Sequence, residues 1–281
     1  MQVFSHFELP SKKLRPQEDY LLVSNKYPIF IVADGVTLEL NSDGTYPKFS
    51  GAGLLSKLFC ETVIEEAEKA YKNLSAATLV ELFSRGNAAA RRFNESQNRT
   101  KKTINYWDFD LFAATTAFAL IKNDTLYWWA LCDSGIRVFD NKGNRKFTSP
   151  PAWPKERRDA HLPSEIRSLS LNAPERKKTI RRVYRNGLNE KGECIGYGVV
   201  TGEEAAVKYL EIGAMALTPG DTVVTYTDGF DHYLSLSEFI EAFVSWSDIE
   251  KNVEEFSLRK TQEDPETFGH ERSLIAAQFS E

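Results

Sequence analysis

Five acidic residues of this chain stand where a carboxylate is costly unless something compensates it. Three end apolar, strand-like runs: Ile29-Phe30-Ile31-Val32-Ala33 leads into Asp34-Gly35, Leu126–Cys132 into Asp133-Ser134-Gly135, and Thr222–Thr227 into Asp228-Gly229. The other two, Glu18-Asp19, precede the first of these runs. Short runs rich in β-branched and aromatic residues read as buried strands. Each acid is then held rigidly at the edge of a core, where it needs a partner or a cation. Asp-Gly is also a common turn dipeptide, and one strand ending in it means little. Three such ends beside an acidic pair point to one acidic site at the mouth of a sheet.

Clustered carboxylates without cysteine are hard oxygen ligands, suited to Mg²⁺ or Mn²⁺. Two such ions, roughly 3.5–4 Å apart, can share a bridging carboxylate, lower the pKa of a bridging water and neutralise charge on a phosphoryl group. That chemistry needs no nucleophilic side chain. The sequence offers none: it has no G-x-S-x-G elbow, P-loop or G-x-G-x-x-G loop, and its isolated Ser, Cys and His residues form no triad. Cys60, Cys132 and Cys194 are too widely spaced for a zinc site or a disulfide framework. His161 and His232 read as surface or turn residues, and Trp128-Trp129 as one residue for each face of a strand.

The elements that must position these acids follow from periodicity. Strands are expected over residues 2–9, 20–23 and 29–33. Two amphipathic helices follow: Leu55, Phe59, Val63 and Ala67 line one, and Leu79, Leu82, Phe83, Ala90 and Phe93 line the other, with Ser75 as its N-cap. Residues 94–102 read as a loop. Hairpins are expected at 111–121 with 125–132 and at 136–140 with 145–148. Prolines 150, 151, 154 and 163 mark an irregular excursion, with short strands at 181–185 and 197–200 beyond it. Helices over 236–246 and 252–260 and a strand over 273–279 close the chain. Paired helices among hairpins do not fit a doubly wound parallel sheet. The expectation is α+β: layered, mostly antiparallel sheets with paired helices.

At 281 residues, with 42% hydrophobic residues and a net charge of −5, the chain can bury a substantial core. Residues 142–191 hold 14 Lys and Arg against 5 Asp and Glu, so a basic insert sits on a strongly acidic remainder. Such an insert suits a phosphate-bearing partner or is simply a solvated surface. The N-terminus has no charged-then-apolar leader, and no run approaches about 18 apolar residues. The expectation is a cytoplasmic protein with neither membrane nor nucleic acid as partner.

Six motifs occur in the order of the type-2C, metal-dependent protein phosphatase family (the PPM superfamily). They are Arg15-Pro16-Gln17-Glu18-Asp19, Val32-Ala33-Asp34-Gly35, Ala114-Thr115-Thr116-Ala117, Cys132-Asp133-Ser134-Gly135, Pro219-Gly220-Asp221 and Tyr226-Thr227-Asp228-Gly229. Glu271-Arg272-Ser273-Leu274-Ile275 is similar to the family's closing motif. The chain resembles a divergent, bacterial-like member over essentially its whole length. The resemblance implies a single phosphatase-like domain over 1–281, an α-β-β-α sandwich of two antiparallel sheets flanked by paired helices, with the basic insert at about 142–191. It implies a phosphoric monoester hydrolase that removes phosphate from phosphoserine or phosphothreonine in a phosphorylated protein substrate through a metal-activated water.

The same resemblance assigns roles. Asp34 would bridge two Mn²⁺ or Mg²⁺ ions, the Gly35 carbonyl would bind one, Asp228 would be a direct ligand, and Glu18 would hold a metal-bound water. Asp19 would orient ligands or water from behind. Asp133 reads equally well as an auxiliary ligand to a weaker third ion and as a turn-capping residue. Arg15 would grip the substrate phosphate through its planar fork, with Lys12 and Lys13 as competitors. The chain also departs from the family. Asp34-Gly35 continues with Val36-Thr37-Leu38 rather than a histidine- or methionine-containing glycine motif. Cys132 replaces the glycine before Asp-Ser. His270-Glu271 stands where the last motif begins with aspartate, leaving His270 and Glu271 as rival ligands. A weakly active or inactive regulatory binding module, or an enzyme of small phosphorylated metabolites, are the competing readings.

Overall fold

The computed structural model describes residues 1–9, 15–36, 41, 43, 45–73, 75–106, 109–150, 162–170 and 173–280. Lys12, Lys13, Thr37, Leu38, Pro151, Pro154 and His161 lie outside them. The strands are β1 (Gln2–Glu8), β2 (Tyr20–Val23), β3 (Ile29–Gly35), β4 (Ala114–Lys122), β5 (Thr125–Leu131), β6 (Gly135–Phe139), β7 (Arg145–Thr148), β8 (Glu211–Ala216), β9 (Thr222–Tyr226) and β10 (Arg272–Gln278). The helices are α1 (Gly51–Ala70), α2 (Ala76–Ser96), α3 (Ser164–Ser168), α4 (Pro174–Thr179), α5 (Ser237–Val244), α6 (Ile249–Glu263) and α7 (Pro265–Phe268). One five-stranded sheet has the order β2-β3-β4-β5-β8 and the other β1-β10-β9-β6-β7. Every pairing within them is antiparallel.

The strands are apolar on both faces because each sheet is covered twice. Successive side chains of a strand point to opposite faces. Ile29, Ile31 and Ala33 of β3 join Phe118 and Leu120 of β4 in a core shared with α1 and α2. Phe30 and Val32 meet Ile136, Val138, Val223 and Ile275 between the sheets. Leu274 and Ala276 of β10 face Phe239, Phe243 and Val253 of α5 and α6. The layers are therefore α-β-β-α, as expected. The tryptophan pair divides likewise, Trp128 into the inter-sheet core and Trp129 under the helices, where it stacks on Phe118 at 4.0 Å between ring centroids. Burying each such side chain contributes roughly 1.5–3 kcal/mol.

Two local expectations need correction, and one strand was not expected at all. Residues 94–96 belong to α2, because Asn94 is buried and its amide donates to the Phe112 and Thr201 carbonyls. Residues 181–185 and 197–200 are not strands: α4 runs on into one wide helical turn at Ile180–Tyr184, and only single bridges join Arg185 to Tyr197 and Ala114 to Val200. The edge strand β8 escaped prediction because Glu-Ile-Gly-Ala-Met-Ala is largely exposed and carries little β-branched character.

Candidate active site

Antiparallel register gathers the acids at one edge of the sandwich. Tyr20 of β2 lies opposite Ala33, which sets Glu18-Asp19 beside Asp34. Asp34 faces Thr115, and Thr116 faces Leu131, so Asp133 follows β5 at the same edge. In the other sheet Tyr226 lies opposite both Gly135 and Leu274, which brings Asp228 level with the starts of β6 and β10. The strand ends carrying Asp34, Asp133 and Asp228 thus meet the strand starts carrying Glu18, Asp19 and Glu271.

Three of these carboxylates are aimed by a neighbour. Glu18 is buried, and the Ser50 hydroxyl donates to its Oε1 at 2.6 Å. Ser50 also caps α1, accepting from the Ala52 and Gly53 amides, so the helix start and the acid are fixed together. Asp19, also buried, accepts from the Thr227 hydroxyl at 2.7 Å, and the Ser273 amide donates to that same Thr227 oxygen. Glu271 Oε1 accepts from the backbone amides of Glu18 and Asp19, both at 2.9 Å. Gly35 is required by close approach: a Cβ there would lie 2.9 Å from Ala52 Cβ and 3.0 Å from the Glu18 carbonyl oxygen.

The electrostatics are those of crowded like charges. Burial, and then the charge of Glu271, raises Asp19 to about 7. Asp228 keeps solvent at its rim, yet burial on its other sides and the Asp133 charge raise it to about 7 as well. Asp34 is pushed well above the carboxylate range by burial and by Asp19, Asp228 and Asp133. Burial also raises Glu18, partly offset by Ser50, and Glu271, partly offset by the two amides. Asp133 is raised by burial too. The side chain of Asp19 adds to this rise at Asp34, as expected of neighbouring carboxylates that a proton or a cation would relieve.

Among the described residues, no lysine or arginine forms an ion pair with any of these six acids. Arg15 acts on Glu18 and Glu271 only through its field. It is exposed, its Nε donating to the Tyr46 hydroxyl at 3.1 Å and its guanidinium 5.7 Å from that ring's centroid. The donor set is all oxygen, which fits a hard divalent cation. Among the described residues no three His, Cys, Asp or Glu side chains converge closely enough to hold an ion as they stand. Mg²⁺ in particular takes one or two carboxylates and keeps several waters, so a preformed cage is not what such an ion requires.

The rivals His270 and Glu271 point apart. His270 is exposed and its Nε2 contacts the Glu266 carbonyl at 2.8 Å, whereas Glu271 faces the acids. Asp133 follows Cys132, which has a left-handed backbone (φ +65°), and borders a cavity of about 370 Å³ with Arg137, Tyr226 and Asp231. His232 is an exposed turn residue. Three positioning residues were not read from the sequence: Ser50, Thr227 and Arg272. Ser50 had a signal, a small polar residue just ahead of an apolar helical stripe. Arg272 had none, since nothing local marks a buried arginine.

Comparison with known proteins bears on the fold and the family. No curated protein matches the chain in sequence. Among solved structures, the catalytic domain of the serine/threonine protein phosphatase PstP, crystallised with two manganese ions, superposes with a TM-score of 0.61 at 13% identity, covering 100% of this chain and 98% of that one. PppA, a regulatory component of the type VI secretion system of Pseudomonas aeruginosa, gives 0.61 at 14% identity over 99% and 97%. RsbX in complex with magnesium gives 0.50 at 10% identity over 99% and 95%. These likenesses establish the fold. A family model described as protein phosphatase 2C matches residues 11–267, and the chain therefore belongs to the protein phosphatase 2C family.

Proposed function

We propose that this chain hydrolyses phosphoserine and phosphothreonine monoesters in proteins with a metal-activated water. The observation that carries the reading is the carboxylate set around Asp34, running from buried Glu18 and Asp19 to exposed Asp228, which no lysine or arginine pairs among the described residues, whose like charges raise one another and whose donors are all oxygen. Divalent ions of the kind named for PstP and RsbX, Mn²⁺ or Mg²⁺, would lower the pKa of a water and neutralise phosphoryl charge there. Asp34, the Gly35 carbonyl and Asp228 would hold two such ions, with Glu18 orienting water. We assign the fourth carboxylate position to Glu271 rather than His270, because Glu271 keeps Oε2 free of the amides that fix Oε1. Asp19, tied to Thr227, holds this arrangement from behind. Asp133 stands by as the auxiliary ligand for a weaker third ion. Arg15, anchored by Tyr46 and unpaired with any acid among the described residues, would bind the substrate phosphate and orient it.

The unit is one domain over 1–281, in which the basic 142–191 stretch contributes to partner choice. The test is hydrolysis of a generic aryl phosphate and of a phosphothreonine peptide with Mn²⁺, Mg²⁺ or a chelator. We expect cation-dependent turnover of both substrates and its loss in Asp34→Asn. Phosphopeptide binding with no turnover under either cation would replace the enzyme by a regulatory binding module. Turnover of small phosphomonoesters alone would exclude a protein substrate.

A further inference from the structure

A phosphoprotein bound at the acidic edge must lead its chain away across the surrounding surface, and one groove begins there. Asp19 lines it together with Lys48, Phe49, Leu54 and Lys57, around about 350 Å³ of space. That lies at the low end of the roughly 300–1,000 Å³ of ligand pockets. It suits one or two side chains. Phe49 is 66% exposed and Leu54 46%, so two large apolar side chains meet solvent in the groove that Ser50, whose hydroxyl fixes Glu18, also lines. Single exposed apolar residues need no explanation, but two flanking one groove at the border of the site do. The groove's charge is also opposite to that of the site. Lys48 is exposed, its ammonium 5.3 Å from the Phe49 ring centroid. Lys57 pairs with Glu61 at 3.8 Å between half-exposed side chains, a pairing that holds it weakly.

We infer that this groove binds the substrate segment flanking the phosphorylated residue and selects an apolar side chain next to a carboxylate. Phe49 and Leu54 remove the apolar side chain from water. Lys48 and Lys57 attract the carboxylate that the acidic edge alone would repel, which makes the groove a filter on substrate sequence as well as a seat. The inference rests on the protein phosphatase reading, because it takes a phosphopeptide as the occupant.

Two fluorescent phosphothreonine peptides, identical except for Leu-Asp or Ser-Lys beside the phosphothreonine, test it. We expect wild type to show about a tenfold lower KM for the Leu-Asp peptide with similar kcat. Phe49→Ala and Lys48→Glu should each remove most of that preference and leave aryl phosphate hydrolysis within about twofold. Fluorescence anisotropy with the unphosphorylated peptides reads the groove without turnover, and the same ranking should appear more weakly. Equal KM values and equal binding for the two peptides would overturn the inference. So would parallel losses on peptide and aryl phosphate in Phe49→Ala, which would mean that the residue only supports Ser50. If wild type hydrolyses neither substrate the phosphatase reading fails, and the anisotropy ranking still decides whether the groove discriminates.

Discussion

Two clusters of charge in this molecule are built on opposite terms. At the start of β10, Arg272 is fully buried and saturated. Its Nη2 lies 2.6 Å from Glu8 Oε2, its Nε donates to Ser257, and its Nη1 donates to the carbonyls of Phe268 and His270. Burial works against the Glu8 charge, but His6, Arg272 and Ser257 overcome it, and Glu8 ends below its ordinary value. Arg185 follows the same rule. Burial disfavours its charge, and Asp110, 2.7 Å away, outweighs that and raises its pKa. One residue from Arg272, Glu271 opens the other group, in which Asp19, Asp34 and Asp228 are raised rather than lowered. In both paired clusters opposite charges offset the cost of burial, and around Arg272 every donor of the guanidinium is used. The acidic edge is complete only with protons or cations, and it is held in that state by groups that are themselves neutral: Ser50, Thr227 and two backbone amides.

The comparison breaks most visibly in stability. Arg272→Ala leaves Glu8 uncompensated and the Phe268 and His270 carbonyls without a donor, and should cost about 3–5 kcal/mol. Asp34→Asn removes one of several repelling charges and should leave the chelator-treated protein as stable as wild type or more so. Urea denaturation in EDTA measures both. Equal losses would mean that Asp34 is as much a part of the fold's pairing as Arg272.

Cation affinity is the next largest effect. Calorimetric Mn²⁺ titration should show at least about a hundredfold weakening for Asp34→Asn and Asp228→Asn, roughly 2.7 kcal/mol. Glu271→Gln should weaken binding and His270→Ala should not, given where the two side chains point. Wild-type affinity in both aspartate variants would end the two-ion reading. Loss in His270→Ala alone would transfer the fourth position to the histidine.

The pH response should also separate the two regions. Asp19 and Asp228 titrate near 7 when folded, against ordinary carboxylate values near 4. Between those values the folded protein binds more protons than the unfolded chain, so stability is greatest at low pH and falls as pH rises toward and through 7. Glu8, lowered on folding, acts in the opposite sense: its contribution is present above its unfolded value and is lost as pH falls through the folded one. In EDTA the melting temperature should therefore drop from pH 5 to pH 8. Added Mn²⁺ should recover it most at pH 8, where the acids are ionised. A melting temperature that rises over this range without metal would show that the acidic edge is not strained by its own charge.

Most of this arrangement was legible from the sequence because it depends on strand ends. A buried strand fixes where its terminal residue sits, so Asp34, Asp133 and Asp228 could be placed at one edge once the sheets were antiparallel. The sandwich followed from hairpin spacing and the two helical stripes. What escaped depends on contacts between distant parts of the chain. Thr227 finds Asp19 across 208 positions, and Arg272 finds Glu8 across 264, and no local pattern announces either. The choice between His270 and Glu271 also depended on geometry. Alternation along a strand says that neighbours point apart, but which one points inward is set by the Glu266 carbonyl and the amides ahead of β2. The helical turns of the basic stretch were missed because charged residues and prolines carry no apolar period.

The smallest expected effect tests how far the acidic edge is shaped by its backbone. Cys132 has φ +65°, in the left-handed region where a side chain normally costs about 1–2 kcal/mol and glycine costs nothing. The family pattern has glycine at this position, and the structure gives the reason for it. Cys132→Gly removes the strain, but it returns about 0.5–1 kcal/mol of freedom to the unfolded chain and gives up the packing of the thiol. The net gain should be below about 1 kcal/mol. Cys132→Val should move the other way by 1 kcal/mol or more, because a β-branched side chain tolerates positive φ worst. Urea midpoints of the three proteins order the series glycine, cysteine, valine if the left-handed turn governs. The same proteins separate the two roles of Asp133. If it only caps the turn, Mn²⁺ affinity should stay constant across the series while stability changes. If it is an auxiliary ligand, affinity should weaken in the valine variant along with stability, because the strained turn would no longer present the carboxylate to a cation held beside Asp228.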